Sequence, residues 1–192
     1  MLPSPLNKIL HITGLAAHFP GSRFFGRVDY SWWDHSTPRS VGWVVGAYFM
    51  IRRETMEEIG YLDDFYFLYF EEVDFCIRAR RTGWDVVFYP YAQVIHLGGQ
   101  SSLNVRENPL HGMQINSIRI ATEYKYYRKN YNLLYVLASA FIEFAWNCVI
   151  YIKNLLIHSE TSTSKKNGAT LIMKLIIRTL INDRFGKGKK AV

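Results

Sequence analysis

Tyr69-Phe70-Glu71-Glu72-Val73-Asp74-Phe75-Cys76-Ile77-Arg78 sets three carboxylates within four positions, between an aromatic run and a basic one. The acids fall in what reads as the first turn of a helix over 71–82. Arg78, Arg80 and Arg81 fall in its last turn, and Gly83 follows as its stop. That charge order complements a helix dipole, so Glu71, Glu72 and Asp74 have a structural reading as partners of a helix N-terminus. Asp74 and Arg78 stand four apart on one face, the spacing of an intrahelical ion pair. At Glu72 the helix N-terminus favours the anion while the neighbouring acids oppose it.

Two flanking stretches frame this segment. Upstream, Gly42-Trp43-Val44-Val45-Gly46-Ala47-Tyr48-Phe49-Met50-Ile51 is apolar and β-branched at its start. It predicts a buried strand over Val44–Ile51, with Gly46-Ala47 marking a place where something approaches the backbone closely. A short helix over Glu54–Ile59 follows, closed by Gly60. Tyr61–Phe70 is an aromatic loop that reads equally as core or as the wall of a sugar site. Downstream, Trp84–Tyr89 predicts a strand ended by Pro90, and Gln93–His96 a second extended run before Gly98-Gly99. A lone histidine at a strand end is more often a satisfied structural residue than a ligand.

In order and spacing these three pieces resemble the C-terminal half of the catalytic domain in family 2 glycosyltransferases of GT-A fold, rhamnosyltransferase-like members above all, over roughly residues 20–130. The family pattern is an acidic pair, one residue, then Asp-Leu-Cys and an arginine two further on. Glu71-Glu72-Val73-Asp74-Phe75-Cys76-Ile77-Arg78 matches it, with Phe75 in place of leucine. The resemblance implies that Glu72 is the general base, taking the proton from an acceptor hydroxyl as that oxygen attacks the anomeric carbon. It places Trp43, Gly46, Ala47 and Glu71 beside the acceptor and sugar, with Asp74 and Arg78 in structural support. It makes His96 a ligand that helps hold Mg²⁺ or Mn²⁺ against the donor diphosphate, and sets Ser101 and Ser102 near the donor phosphate. The implied substrates are a nucleotide sugar donor and a glycan or lipid-linked glycan acceptor. Glu72 stands where many members carry Asp, a mild departure, and the larger one is that the sequence contains no Asp-x-Asp motif and no series of strands and helices before the matching region to bind a nucleotide. The expectation is the second half of an α/β GT-A domain without its donor-binding half, arising from a truncated gene, a split enzyme with a separate donor-binding chain, or a misplaced start. The rival is a non-catalytic subunit that keeps the acceptor-side half as a binding surface.

Composition sets the outer limits. The 192 residues are 49% hydrophobic and 16% aromatic, enough for a sizeable core. Cys76 and Cys148 form neither a metal pattern nor a disulfide framework, which fits free thiols in a reducing compartment. No signal peptide is evident at the N-terminus. Residues 1–40, broken by Pro3, Pro5, Pro20, Gly21 and Pro38, read mostly as loop.

The net charge of +7 is lopsided. Residues 1–115 hold 10 basic and 12 acidic side chains, residues 116–192 hold 13 and 4. Asn116–Asn130 reads as a basic, tyrosine-rich helix, but no nucleic-acid-binding motif accompanies it and nucleic acid is not an expected partner. Leu133–Ile152 is apolar and long enough to span a bilayer. With Glu143 and Asn147 inside it, a span, an interfacial helix and a helix buried with Glu143 against a partner all stay open. Residues 159–168 read as a polar linker, and Leu171–Ile181 as a short amphipathic helix before the basic end Lys187-Gly188-Lys189-Lys190. The expected organisation is therefore a body over 1–130 and a helical tail over 131–192 that meets the anionic cytoplasmic face of a membrane.

Overall fold

The structure is a computed structural model, and it describes residues 1–96, 109–157 and 159–187. Helix dominates. In chain order the described elements are α1 (Pro5–Ile12), α2 (Leu15–His18), a 3-10 turn (Phe25–Arg27), β1 (Arg39–Ser40), α3 (Arg53–Ile59), α4 (Glu71–Arg81), β2 (Val87–Phe88), α5 (Pro109–Asn130), α6 (Leu133–Lys153) and α7 (Glu160–Asn182).

Several elements arise where local chemistry asks for them. α3 ends at Gly60, whose φ of 79° is open to a residue without a side chain. α4 is closed by Gly83 at φ 93°, with the Trp84 amide reaching back to the Ala79 carbonyl. The Asn132 side chain accepts from the Tyr135 amide and starts α6.

Other expectations are corrected. Residues 1–40 are mostly loop, as expected, but open on a helix: Ser4 caps α1 by accepting from the Asn7 amide, and Pro5 sits in its first turn, where its missing N–H costs nothing. No strand forms over Val44–Ile51. β1 and β2 make a two-residue antiparallel pair, extended by the Val41 amide donating to the Val86 carbonyl. No neighbour among the described residues offers residues 44–51 a ladder, and Val45, Tyr48 and Met50 are exposed rather than buried. The strand expected over Trp84–Tyr89 shrinks to Val87–Phe88, and Gln93–His96 has no ladder either. The polar run 159–168 is not a linker. Ser159 accepts from the Ser162 amide, the helix begins at Glu160, and Ser162 and Ala169 are buried along it.

One core cluster joins the body to the later helices. Tyr66 from the aromatic loop and Val73 and Ile77 from α4 meet Ile120, Tyr124, Tyr126 and Tyr127 from α5, Val136 and Ala140 from α6, and Leu175 and Ile176 from α7. The tyrosines of the basic α5 are thus core residues, buried to within about a per cent. A smaller cluster of Val41, Cys76 and Val86 lies on the other side of α4. Both cysteines are free. The two clusters clamp α4 between them and fix where its acidic N-terminus points.

Candidate functional site

The acidic pair is aimed by a strained turn. Tyr69 and Phe70, directly before α4, both lie in the left-handed region, at φ 67° and 70°. Two successive aromatic residues there are disfavoured by Cβ sterics, and such strain concentrates at functional sites. Packing holds the turn: Phe70 lies against Tyr126 with ring centroids 5.0 Å apart, and Phe65 and Phe70 pack on the main core. Aromatic residues carry no sequence signal for left-handed backbone, so this turn was not legible in the chain.

Glu71 and Glu72 open α4, and each keeps one carboxylate oxygen, Oε2, buried without a hydrogen-bond partner. Orphaned buried acceptors are uncommon, and costly for a charged group. Burial pushes the Glu72 carboxyl above the ordinary range, and the neighbouring Glu71 adds to this. The nearby backbone N–H groups of Glu72, Gly46 and Val73 pull the other way without cancelling it. Desolvation therefore outweighs the helix N-terminus, and Glu72 is a carboxylate with a raised affinity for a proton.

Gly46 is brought to Glu72. A Cβ placed on Gly46 would sit 3.9 Å from the Glu72 carboxyl carbon and Oε1, an ordinary contact. Nothing presses closer on the position of that Cβ, and the close approach to the backbone expected at Gly46 is made by the Glu72 carboxyl. Gly46 and the adjoining Ala47 are exposed. Trp43 is half-buried, packs against both core clusters and donates its indole N–H to the Met1 carbonyl. The aromatic loop divides: Tyr66 is core, while Tyr61 and Phe67 are exposed.

Asp74 is fully buried and accepts four hydrogen bonds. They come from the Tyr66 hydroxyl (3.2 Å), Arg78 Nε (3.0 Å), Lys129 Nζ (2.8 Å) and Asn130 Nδ2 (2.9 Å). Arg78 also donates to the carbonyls of Ile59 and Tyr61, closing α3 onto α4. Asp74 and Arg78 thus hold the loop before the acidic pair rather than reach into the open side. The α4 spacing contained the Arg78 pair. Lys129 and Asn130, 55 and 56 residues away, had no local signal.

His96 is exposed on an irregular segment. Ser101 and Ser102 lie outside the described residues. Among the described residues no group of three or more His, Cys, Asp or Glu side chains is placed to hold a metal ion. The described residues therefore do not form a divalent metal site.

Known proteins share parts of this sequence. Over 58 residues the chain is 40% identical to an N-acetylglucosaminyl-diphospho-decaprenol L-rhamnosyltransferase of Mycobacterium tuberculosis, covering 30% of this chain and 19% of that protein. Over 94 residues it is 30% identical to the low-salt glycan biosynthesis hexosyltransferase Agl10 of Haloferax volcanii, covering 49% of this chain and 27% of that protein. The chain thus spans between about a fifth and about a quarter of the length of these relatives. No solved structure matches it. The family model for glycosyl transferase family group 2 matches residues 23–159, most of the chain and all of the site just described. On that match, the chain belongs to glycosyl transferase family group 2.

Proposed function

We propose that this chain supplies the acceptor side of a sugar transfer from a nucleotide sugar to a hydroxyl of a lipid-linked surface glycan, as part of a GT-A domain, with Glu72 as general base. The observation that carries the reading is the Glu72 carboxylate: partly desolvated, one oxygen without a partner, and fixed by a strained turn beside exposed Gly46 and Ala47. A hydroxyl oxygen placed over Gly46 gives its proton to Glu72 as it forms a bond to the anomeric carbon, and the bond from that carbon to the nucleoside diphosphate breaks with its electron pair leaving on the diphosphate. Glu71 flanks the acceptor, and Trp43 backs the segment that carries Gly46. The lipid-linked acceptor is supported by the mycobacterial relative, a rhamnosyltransferase named for N-acetylglucosaminyl-diphospho-decaprenol. Residues 1–130 form the acceptor-side body and 131–192 the membrane-associated tail, on the cytoplasmic face.

The donor needs a binding part that the described residues do not form, and any Mg²⁺ or Mn²⁺ belongs with it. The absence of an Asp-x-Asp motif also supports a second reading, a non-catalytic acceptor-binding subunit. One experiment separates them. The chain is combined with a donor-binding half from a family member, in trans or fused, and turnover is measured for wild type and Glu72→Gln. On the base reading turnover falls by about 100-fold or more with donor affinity unchanged. Equal turnover in the two proteins removes Glu72 from the base role, and no turnover in either supports the non-catalytic subunit.

A further inference from the structure

α6 is built inside out. Helical geometry sets Ser139, Glu143 and Asn147 on one side of its axis, and all three are buried against the protein. On the opposite side Leu134, Phe141, Val149 and Ile152 form an apolar stripe, and Leu134 and Phe141 are each 72% exposed. A helix of a water-soluble body puts these faces the other way round. The inward polar side is satisfied: Glu143 pairs with Lys8 and Arg119, Ser139 donates to Glu123, and Asn147 donates to the Glu143 carbonyl. The acid that made this segment a poor candidate for lipid is therefore neutralised inside the protein and does not face outward.

The stripe does not end at α6. At its edge Cys148 meets Met173 of α7, Sγ to Sδ 3.4 Å, and one helical turn on from Met173 the exposed Ile177 and Ile181 continue the apolar surface. Lys174 and Arg178 lie exposed and Lys166 half-buried on that same side of α7, and Lys153 lies exposed at the end of α6. From residue 133 onward there are nine basic and three acidic side chains, and Glu143, one of the three, is buried. An apolar stripe bordered by cations is complementary to apolar chains bordered by anionic headgroups.

From this placement we infer that the outward face of α6, continued by Ile177 and Ile181 of α7, lies in the plane of an anionic bilayer, with α6 parallel to the surface rather than across it. The inference rests on the membrane reading above and gives it a face and an orientation. α6 is long and apolar enough to cross a bilayer. Crossing, however, would surround the helix with lipid on all sides, whereas its inner side is covered by α1, α5 and α7. In the plane only the stripe meets lipid, and the basic side chains stay at headgroup level.

The test uses the full chain and vesicles of phosphatidylcholine and phosphatidylglycerol. Single cysteines at 134, 141 and 152 are spin-labelled in a Cys148→Ser background, and their depths are read by collision with oxygen and with a water-soluble nickel complex. An in-plane helix gives one shallow depth at all three positions. A crossing helix separates 134 from 152 by about 27 Å along its axis, and unequal depths would overturn the orientation while leaving membrane association standing. Phe141→Ser with Ile152→Ser should weaken vesicle binding at least tenfold with the melting curve unchanged. Met50→Ser with Ile95→Ser, equally exposed on the body, should leave binding as it was. Binding that responds to the body pair and not to the stripe pair assigns the wrong face. An intact chain that ignores anionic vesicles at low salt removes the membrane reading altogether but not the sugar-transfer reading. A dimer in solution that dissociates on Phe141→Ser, with no vesicle binding, gives the face to a second copy and overturns the proposal.

Discussion

At Glu72 two electrostatic effects compete, and geometry decides between them. The start of α4 offers backbone N–H groups that favour an anion, yet burial and the adjacent Glu71 leave the proton held more tightly than by a carboxyl in water. The sign of the consequence follows. A carboxyl whose affinity for a proton is higher in the folded state adds stability below the unfolded carboxylate range, and loses that contribution as pH rises through the folded value. At neutral pH the ionised Glu72 therefore destabilises the fold. Glu72→Gln should raise the melting temperature at pH 7 by a small amount, on the order of 1–2 °C once the partial exposure of the group is discounted. The gain should shrink at pH 4, where the wild-type carboxyl is largely protonated. Stability won at the cost of activity is the behaviour of a group placed for chemistry rather than for packing. A melting temperature that drops at pH 7 would make Glu72 a structural acid.

At the scale of the element, α4 is held by its buried Asp74. The carboxylate ties the aromatic loop through Tyr66, its own helix through Arg78, and the end of α5 through Lys129 and Asn130. Asp74→Asn keeps the shape and removes the charge, leaving Arg78 and Lys129 to their remaining acceptors, the Ile59 and Tyr61 carbonyls and Asp63. Breaking a fully buried pair costs about 3–5 kcal/mol. Both cations here are partly exposed and keep partners, so about 2–3 kcal/mol is expected, read from the urea midpoint at unchanged slope. A change within about 0.5 kcal/mol, the size of an ordinary surface substitution, would show that the hub does not hold α4.

The same element shows what the sequence made legible. α3, α4 and α6 were readable because their signals are local: charge order, closing glycines and one long apolar run. The strand over Val44–Ile51 was misread because a strand is a property of its neighbours, and none among the described residues pairs with it. The helix over 160–168 was hidden because its Ser, Thr and Lys residues resemble a linker until Ser159 is seen as a cap and Ser162 and Ala169 as packed. At the site, the acidic motif was visible in the chain. The strained Tyr69-Phe70 turn and the contact between Gly46 and Glu72 were not, since both depend on chain segments meeting in space.

Across the whole molecule, α1 is fastened to α5 and α6 by charge as well as by packing. Lys8 Nζ lies 2.8 Å from Glu123, 2.8 Å from Ser139 and 2.5 Å from Glu143, and Arg119 pairs with both acids from the other side. Two cations and two anions make the group neutral. Lys8 and both acids are at most 10% exposed at the side chain. Burial pushes the Glu143 carboxyl up, but Lys8 first and Arg119 next outweigh it and hold the carboxyl below its ordinary range. A lowered carboxyl contributes stability above the unfolded carboxylate range, near about 4.3, and loses it as pH falls through the folded value. Lys8→Met keeps most of the side-chain volume and leaves one buried negative charge uncompensated. At pH 7 it should destabilise the chain by about 3 kcal/mol, the lower end of the range for a broken buried pair, because Arg119 remains. In acid the wild type loses the attraction as the Glu143 carboxylate protonates, while the variant is relieved of its excess charge. The difference between their urea-unfolding free energies should therefore narrow between pH 7 and about pH 3, most of it below about pH 5 as the range of the lowered Glu143 carboxyl is approached. A difference that stays constant across that range would mean that Lys8 fastens α1 through the packing of its methylene stem, and that the four charges contribute nothing net to the fold.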